Sequence, residues 1–310
     1  MNPLSAVFGA GVALRNSLYA RGVLKTHRLA RPVVSVGNIS VGGSGKTPFV
    51  IALGELLKER GIAFDVLSRG YGRSSKDIAI VNPQGTAEEF GDEPLLIARK
   101  LEVPVIVGAD RYRAGLLAEE KFTSRLHLLD DGFQHRRLHR DFDIVMLRSE
   151  DMQDTLLPVG RLREPLSALR RAQAVVLEPG IPAPAEATVW RVQRKLVIKS
   201  PMRRVAAFCG IARPEQFFAA LRSAKLDLAE TIVFRDHHRY EQTDIDRLLQ
   251  IKARTAADGF VTTEKDMVKL EPFSAALQPF VTAVLKLEFE QGPQVVDEIL
   301  RFIRKGLAAN

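Results

Sequence analysis

The sequence predicts an α/β fold, with a largely parallel sheet covered by helices on both faces and a smaller α/β unit after it. Three observations carry this. Short apolar runs alternate with helical patterns from residue 31 to about residue 178. A glycine-rich turn lies between a strand and a helix at residues 40–47. A proline-rich break at residues 178–184 precedes a second alternating run. Parallel neighbours need a crossover between them, and strands buried on both faces read as continuous apolar runs, so this alternation means βαβ units.

Taken in order, residues 33–36, 63–67, 103–107, 126–129, 144–147 and 174–177 are the strand candidates of the first unit. Helices are expected over 48–60, stopped by Gly61, and over 92–101 and 110–121. After Glu178-Pro-Gly-Ile-Pro-Ala-Pro184, residues 190–199 alternate apolar and polar side chains and read as one or two exposed strands. Strands then follow at 205–208, 231–234, 260–262 and 281–287, with helices at 214–222, 244–254 and 295–303. The expected division is an N-terminal helical region (1–30), a core (31–180), a linker (181–203) and a second unit (204–310). The last helix of that unit is placed to pack back on the core.

The chain of 310 residues is 46% hydrophobic and 26% charged, enough apolar residue to bury a proper core. Its one cysteine, Cys209, excludes an internal disulfide, and with no secretory signal to read, a reducing cytosolic compartment is expected. A net charge of +8 favours anionic partners: nucleic acid, an anionic membrane surface or a phosphorylated substrate. Charge does not choose among them.

The N-terminus carries no charge from Met1 to Leu14, and Leu4, Val7, Phe8, Gly11, Leu14 and Leu18 fall on one helical face. Arg15, Arg21, Lys25, Arg28 and Arg31 follow. The run is shorter than the roughly 20 apolar residues a bilayer needs. It fits either an interfacial helix with basic residues at anionic headgroups or a helix packed on the protein's own core. Pattern alone leans to the second.

The segment Ser40-Val41-Gly42-Gly43-Ser44-Gly45-Lys46-Thr47 follows a strand and opens a helix, the context of a phosphate-binding P-loop. Its glycines let backbone N–H groups turn inward around phosphate, beside the positive end of the helix dipole. Lys46 would reach the β- and γ-phosphates and Thr47 would ligate Mg²⁺. Pro48 falls in the first helical turn, where a missing N–H costs little. Ser40 stands where the first glycine usually is.

An apolar strand ending at Asp130-Asp131-Gly132-Phe133-Gln134-His135 has the Walker-B arrangement, in which a carboxylate at the strand's C-terminal end holds Mg²⁺. Gly91-Asp92-Glu93-Pro94 opens a helix, so its acids are either dipole-compensating residues or a base for an attacking hydroxyl. Basic residues cluster at 68–73 (Arg69, Arg73), 110–113 (Arg111, Arg113) and 161–165 (Arg161, Arg163); the first and third lie in loops where they could hold phosphates of a nucleotide or an acidic substrate, the alternative for each being a solvated loop. His237 and His238 lack further His or Cys at ligand spacing, which speaks against zinc. A histidine orienting a carboxylate across a cleft is the sharper reading.

The ordered set of Gly37-Asn38 with the P-loop through Pro48, residues 68–73, Gly91–Pro94, Asp130–His135, Gly160-Arg-Leu-Arg-Glu-Pro165, Asp236-His237 and Thr263-Glu-Lys-Asp266 resembles the tetraacyldisaccharide 4'-kinases, the lipid A 4'-kinases of Gram-negative bacteria. The resemblance implies ATP and Mg²⁺ as cofactors and a tetraacylated glucosamine disaccharide 1-phosphate as acceptor. It implies a P-loop α/β core with a smaller α/β domain on a two-stranded linker. It places the protein peripherally at the cytoplasmic face of the inner membrane through its N-terminal helix, with no nucleic acid and no obligate protein partner.

By the same resemblance Asp92 is the base, paired with His237, with Lys46 on the phosphates. Gly42, Gly43, Ser44, Gly45, Lys46, Thr47, Pro48 and Gln134 hold the nucleotide; Thr47, Asp130, Asp131 and Glu164 surround the metal. Asn38, Arg69, Arg73 and Arg111 are assigned to substrate. The competing readings are a P-loop ATPase acting on nucleic acid and a nucleotide-gated switch.

Overall fold

A computed structural model describes residues 2–43, 45–183, 188–199 and 202–308. Helix α1 (Pro3–Ala20) is capped by the Asn2 side chain. The core then runs β1 (Val33–Asn38), α2 (Lys46–Glu59), β2 (Phe64–Ser68), β3 (Ala79–Ile80), α3 (Ala87–Phe90), α4 (Asp92–Leu101), β4 (Val105–Val107), α5 (Arg111–Lys121), β5 (Leu126–Asp130), β6 (Phe142–Met146) and β7 (Ala174–Leu177). Every residue of β1, β2, β4, β5, β6 and β7 is buried, because helices cover both faces, and this is why they read as unbroken apolar runs.

The second part comprises β8 (Thr188–Val197), β9 (Arg204–Cys209), α6 (Pro214–Ser223), β10 (Asp227–Val233), α7 (Gln242–Thr255), β11 (Gly259–Thr263), α8 (Glu264–Leu270), β12 (Phe280–Phe289) and α9 (Gly292–Ala308). One sheet joins both parts, in the order β10-β9-β11-β12-β8-β7-β6-β1-β5-β2-β4-β3. Among the described strands, the β12/β8 and β3/β4 pairs are antiparallel and the rest parallel.

The region 181–203 differs from its expectation. Among its described residues it holds one strand, β8, whose antiparallel partner β12 comes from the far end of the chain, Val284 lying opposite Val197 and Phe289 opposite Val192. Nor is β8 an exposed strand, since it lies inside the sheet with Trp190 and Val192 buried in the main core. Its alternation reflects one buried face. Trp190 stacks on Phe142 and donates to Glu298 of α9 (2.7 Å), while Val295, Val296, Ile299 and Ile303 of α9 join Phe49 and Phe142 in that core. A separate cluster around Phe208, Phe234, Tyr240 and Phe260 supports the second part.

Helix α1 docks through its small and polar face. The Ser5 hydroxyl donates to the Leu156 carbonyl (2.7 Å), Gly9 lies against Leu156, and Asn16 donates to Glu164 (2.9 Å). Leu4, Val7 and Leu14 are left facing outward, each more than 60% exposed. The apolar stripe is therefore not the packing face. No helix among the described residues is long and apolar enough to cross a membrane.

Candidate active site

Ligands in open α/β sheets bind beyond the C-terminal ends of parallel strands. Here the ends of β1, β5 and β2 bring Asn38, Asp130 and Ser68 together. Gly42 and Gly45 adopt φ of 93° and 81°, a left-handed backbone natural to glycine, and Gly45 caps α2 without any side-chain bond. The N-terminus of α2 thereby presents the positive end of its dipole to an anion. Ser40 enters the loop by an isolated antiparallel bridge to Leu162, and the Val41 N–H donates to the Arg161 carbonyl (2.8 Å). A strand-like entry needs no glycine, which explains Ser40. Ser44 lies outside the described residues. Pro48, with no N–H, contributes helix geometry rather than a phosphate contact.

Lys46 Nζ donates to Asn38 Oδ1 (3.1 Å) and lies 3.4 Å from Asp131. Arg163 also bonds the Asn38 side chain and pairs with Asp131 (3.1 Å). Burial works against the Asp131 carboxylate, but Lys46 and Arg163 outweigh it and hold its pKa far below the usual range. Its neighbour behaves oppositely. Burial, then the charges of Glu93 and Asp131, raise Asp130 to about 7, although Lys46 and a hydrogen bond from Ser68 (3.0 Å) resist. A buried carboxylate short of positive charge suits a cation.

A third group crosses between the two parts of the molecule. Asp92, buried at the start of α4, meets His237 Nδ1 at 2.9 Å. Burial raises the Asp92 pKa, but the His237 hydrogen bond, Lys265 and Lys269 bring it below normal. Burial disfavours the imidazolium, yet Asp92 draws the His237 pKa above its ordinary value. His237 (φ 58°) and Asp131 (φ 49°) are non-glycine residues in left-handed backbone; of the others described, Glu102 and Ala256 cap helices and Lys225 follows the cap of α6. Such conformers cost on the order of 1–3 kcal/mol and persist where function holds them. His238 is tied to Asp244 (2.8 Å) and stacked on Phe234, so His237 is the histidine that faces the site.

Several assigned residues have other work. Asn38 is fully buried and positions Lys46 and Arg163, so it does not face a sugar substrate. Both Glu164 oxygens accept hydrogen bonds, from Arg171 (2.8 and 3.0 Å), Asn16 and Gln134. Gln134 spends its amide on the Asn38 carbonyl (2.8 Å) and Glu164, bracing the loop from beneath. Arg111 is buried, donating to the Ala109 carbonyl (2.9 Å); burial and then Arg69 lower its pKa, with Asp131 and Asp130 opposing. Arg73 turns back to the Asp77 carbonyl, and Arg69 is exposed. Among the described residues no three His, Cys, Asp or Glu side chains converge as a metal cage.

Residue-type reading did not single out Ser68, Arg171, Tyr71, whose ring lies tilted against His237 (4.9 Å between centroids), or Arg148, which donates to the Gly43 carbonyl (3.0 Å). Strand-end position was the available signal for Ser68. Arg148, Glu178, Ile181, Arg194 and Gln216 line a cavity of about 240 Å³ against the loop, where a Cβ on Gly45 would lie 3.3 Å from Arg194.

The model of the tetraacyldisaccharide-1-P 4'-kinase family matches residues 1–304. A tetraacyldisaccharide 4'-kinase of Koribacter versatilis (strain Ellin345) is 52% identical over 98% of this chain and 99% of its own length. One of Aquifex aeolicus (strain VF5) is 40% identical over 87% and 89%. A crystal structure of LpxK from Aquifex aeolicus in complex with ATP superposes with a TM-score of 0.81 at 36% identity, covering 97% of this chain and 98% of that one. Sequence, fold and motif geometry agree, and the chain belongs to the tetraacyldisaccharide-1-P 4'-kinase family.

Proposed function

We propose that the chain transfers the γ-phosphoryl group of ATP to the 4'-hydroxyl of tetraacyldisaccharide 1-phosphate in lipid A biosynthesis. The observation that carries this is the Asp92–His237 pair, 2.9 Å apart, with the adjacent Glu93 close enough to Asp130 for its charge to be felt there, in a member of this family. In the reaction the 4'-oxygen bonds to the γ-phosphorus, the bond to the β–γ bridging oxygen breaks, and ADP leaves. The hydroxyl proton passes to Asp92.

A carboxylate held below its usual pKa is a weak base at rest. That suffices, because a loose phosphoryl-transfer transition state makes the hydroxyl acidic only as its bond to phosphorus forms. Asp92 orients the hydroxyl first and accepts its proton late, and His237 fixes the carboxylate. Lys46, braced by Asn38, neutralises charge on the departing phosphate, and the N-terminal end of α2 holds the β-phosphate. Thr47, Asp130 and Asp131 are hard oxygen donors that fit Mg²⁺, which supplies charge neutralisation between phosphate oxygens when bound. The cavity beside Gly45 takes the nucleoside, walled by Arg148 and Arg194.

Outward-facing Leu4, Val7 and Leu14, followed by Arg15 and Arg21, suit peripheral attachment to an anionic bilayer, and we assign the cytoplasmic face of the inner membrane. The β8–β12 pair is the hinge between a core of about residues 31–180 and a second domain from 204. Incubation with γ-labelled ATP, Mg²⁺ and a bacterial lipid extract tests the transfer. Label is expected in a glycolipid; label confined to free phosphate would overturn the kinase assignment, and nucleic-acid stimulation of that release would favour the ATPase reading.

A further inference from the structure

The Thr263-Glu264-Lys265-Asp266 motif has no part in the mechanism above, yet it delivers a cation to the reacting pair. Lys265 Nζ lies 3.1 Å from His237 Nε2, 3.2 Å from Asp236, 3.2 Å from Glu93 and 3.9 Å from Asp92. Glu93 and Asp92 belong to α4 of the core, whereas Lys265, Asp236 and His237 belong to the second part. One ammonium group therefore spans the boundary.

We propose that Lys265 is a positioning residue for the Asp92–His237 pair, holding His237 as the neutral Nδ1–H tautomer and latching the second domain onto α4. The inference rests on the kinase reading above. An ammonium group has only donors, so at 3.1 Å the His237 Nε2 atom accepts and carries no proton. The ring proton then resides on Nδ1 and donates to Asp92, which orients the carboxylate for the acceptor hydroxyl.

Burial alone would weaken the Lys265 ammonium, but Glu93, Asp92 and Asp236 outweigh it and keep its pKa above the usual value. It is a permanent cation across the working pH range. Its charge opposes protonation of His237, against the pull of Asp92 and Asp236. The remaining charges facing this group are Lys269, 4.0 Å from Asp92, and Asp266, which holds Lys269 at 3.0 Å. Further out, Lys100 with Glu264, Arg99 with Glu271 and Arg239 with Glu88 pair among themselves.

The test is a pH titration of the histidine ring nitrogens by ¹⁵N NMR in the full-length protein, with His237 assigned by signal loss in His237→Asn. Wild type is expected to show the Nδ1–H tautomer at pH 8. Lys265→Met should raise the His237 pKa by about one pH unit or more, and Lys265→Gln, which keeps length but not charge, should do the same. Lys265→Arg should restore it. Turnover should fall about 10–100-fold in the uncharged variants, with the KM for ATP unchanged and the acid limb of the kcat profile moved to higher pH. An unchanged tautomer and pKa in both uncharged variants would overturn the proposal. A shifted pKa in a protein whose wild type phosphorylates no lipid would overturn the kinase reading and leave the placement of Lys265 standing.

Discussion

Asp92 and His237 depend on side-chain chemistry that can be removed one atom at a time. Asp92→Asn keeps the shape and loses the proton acceptor, so kcat is expected to fall about 10²–10⁴-fold with ATP affinity retained. Near-normal turnover at saturating ATP would contradict the role of Asp92. Gly37 is a second case. A Cβ there would sit 2.5 Å from Phe133 Cβ and 2.8 Å from the Phe133 nitrogen, because β1 passes directly under the loop that carries Asp131. Gly37→Ala should destabilise the protein by about 1–3 kcal/mol and weaken nucleotide binding, measurable by denaturation and calorimetry. The P-loop and the acidic pair were legible in the sequence as motifs, because each joins a strand to a fixed residue pattern, whereas Asp92 had two readings until its contact with His237 was seen. The inward turn of Asn38, which braces Lys46 and Arg163, was not legible, because a motif gives residue type but not facing direction.

Among elements, the N-terminal ends of β2 and β5 enclose a polar cluster away from the P-loop. His127, fully buried, meets Asp65 at 2.8 Å and Glu119 at 3.3 Å. Burial disfavours its charged form, but the two carboxylates raise its pKa above the ordinary value. A raised folded-state pKa contributes stability that is complete below the unfolded value, roughly 6.5, and is lost as pH rises through the folded value. The melting temperature should therefore fall from pH 6 towards pH 9, and His127→Gln should flatten that slope. A slope unaltered in the variant would contradict it. Helix α1 was legible as an amphipathic element, but two surfaces could have taken its apolar stripe; Ser5, Gly9 and Asn16 decided, being small or polar enough for close docking. Serine at positions 4, 7 and 14 should reduce co-sedimentation with anionic vesicles and turnover on membrane-held substrate, leaving ATP affinity intact. Unchanged sedimentation would contradict membrane attachment through this face.

At the scale of the whole molecule, the βαβ alternation made the parallel core readable, since each strand is short, apolar and separated by a helix. What local pattern could not show was the pairing of β8 with β12, whose strands lie nearly a hundred residues apart in a chain where register is set by tertiary contact. That pairing, with α9 packed back on the core, ties the second part to the first and brings His237 to Asp92. The most direct measurement is phosphorus NMR of the product formed from purified tetraacyldisaccharide 1-phosphate, ATP and Mg²⁺. A second phosphomonoester on the 4'-oxygen is expected with wild type and lost with Asp92→Asn. ADP formation without a new phosphomonoester, or one at another hydroxyl, would contradict the assignment.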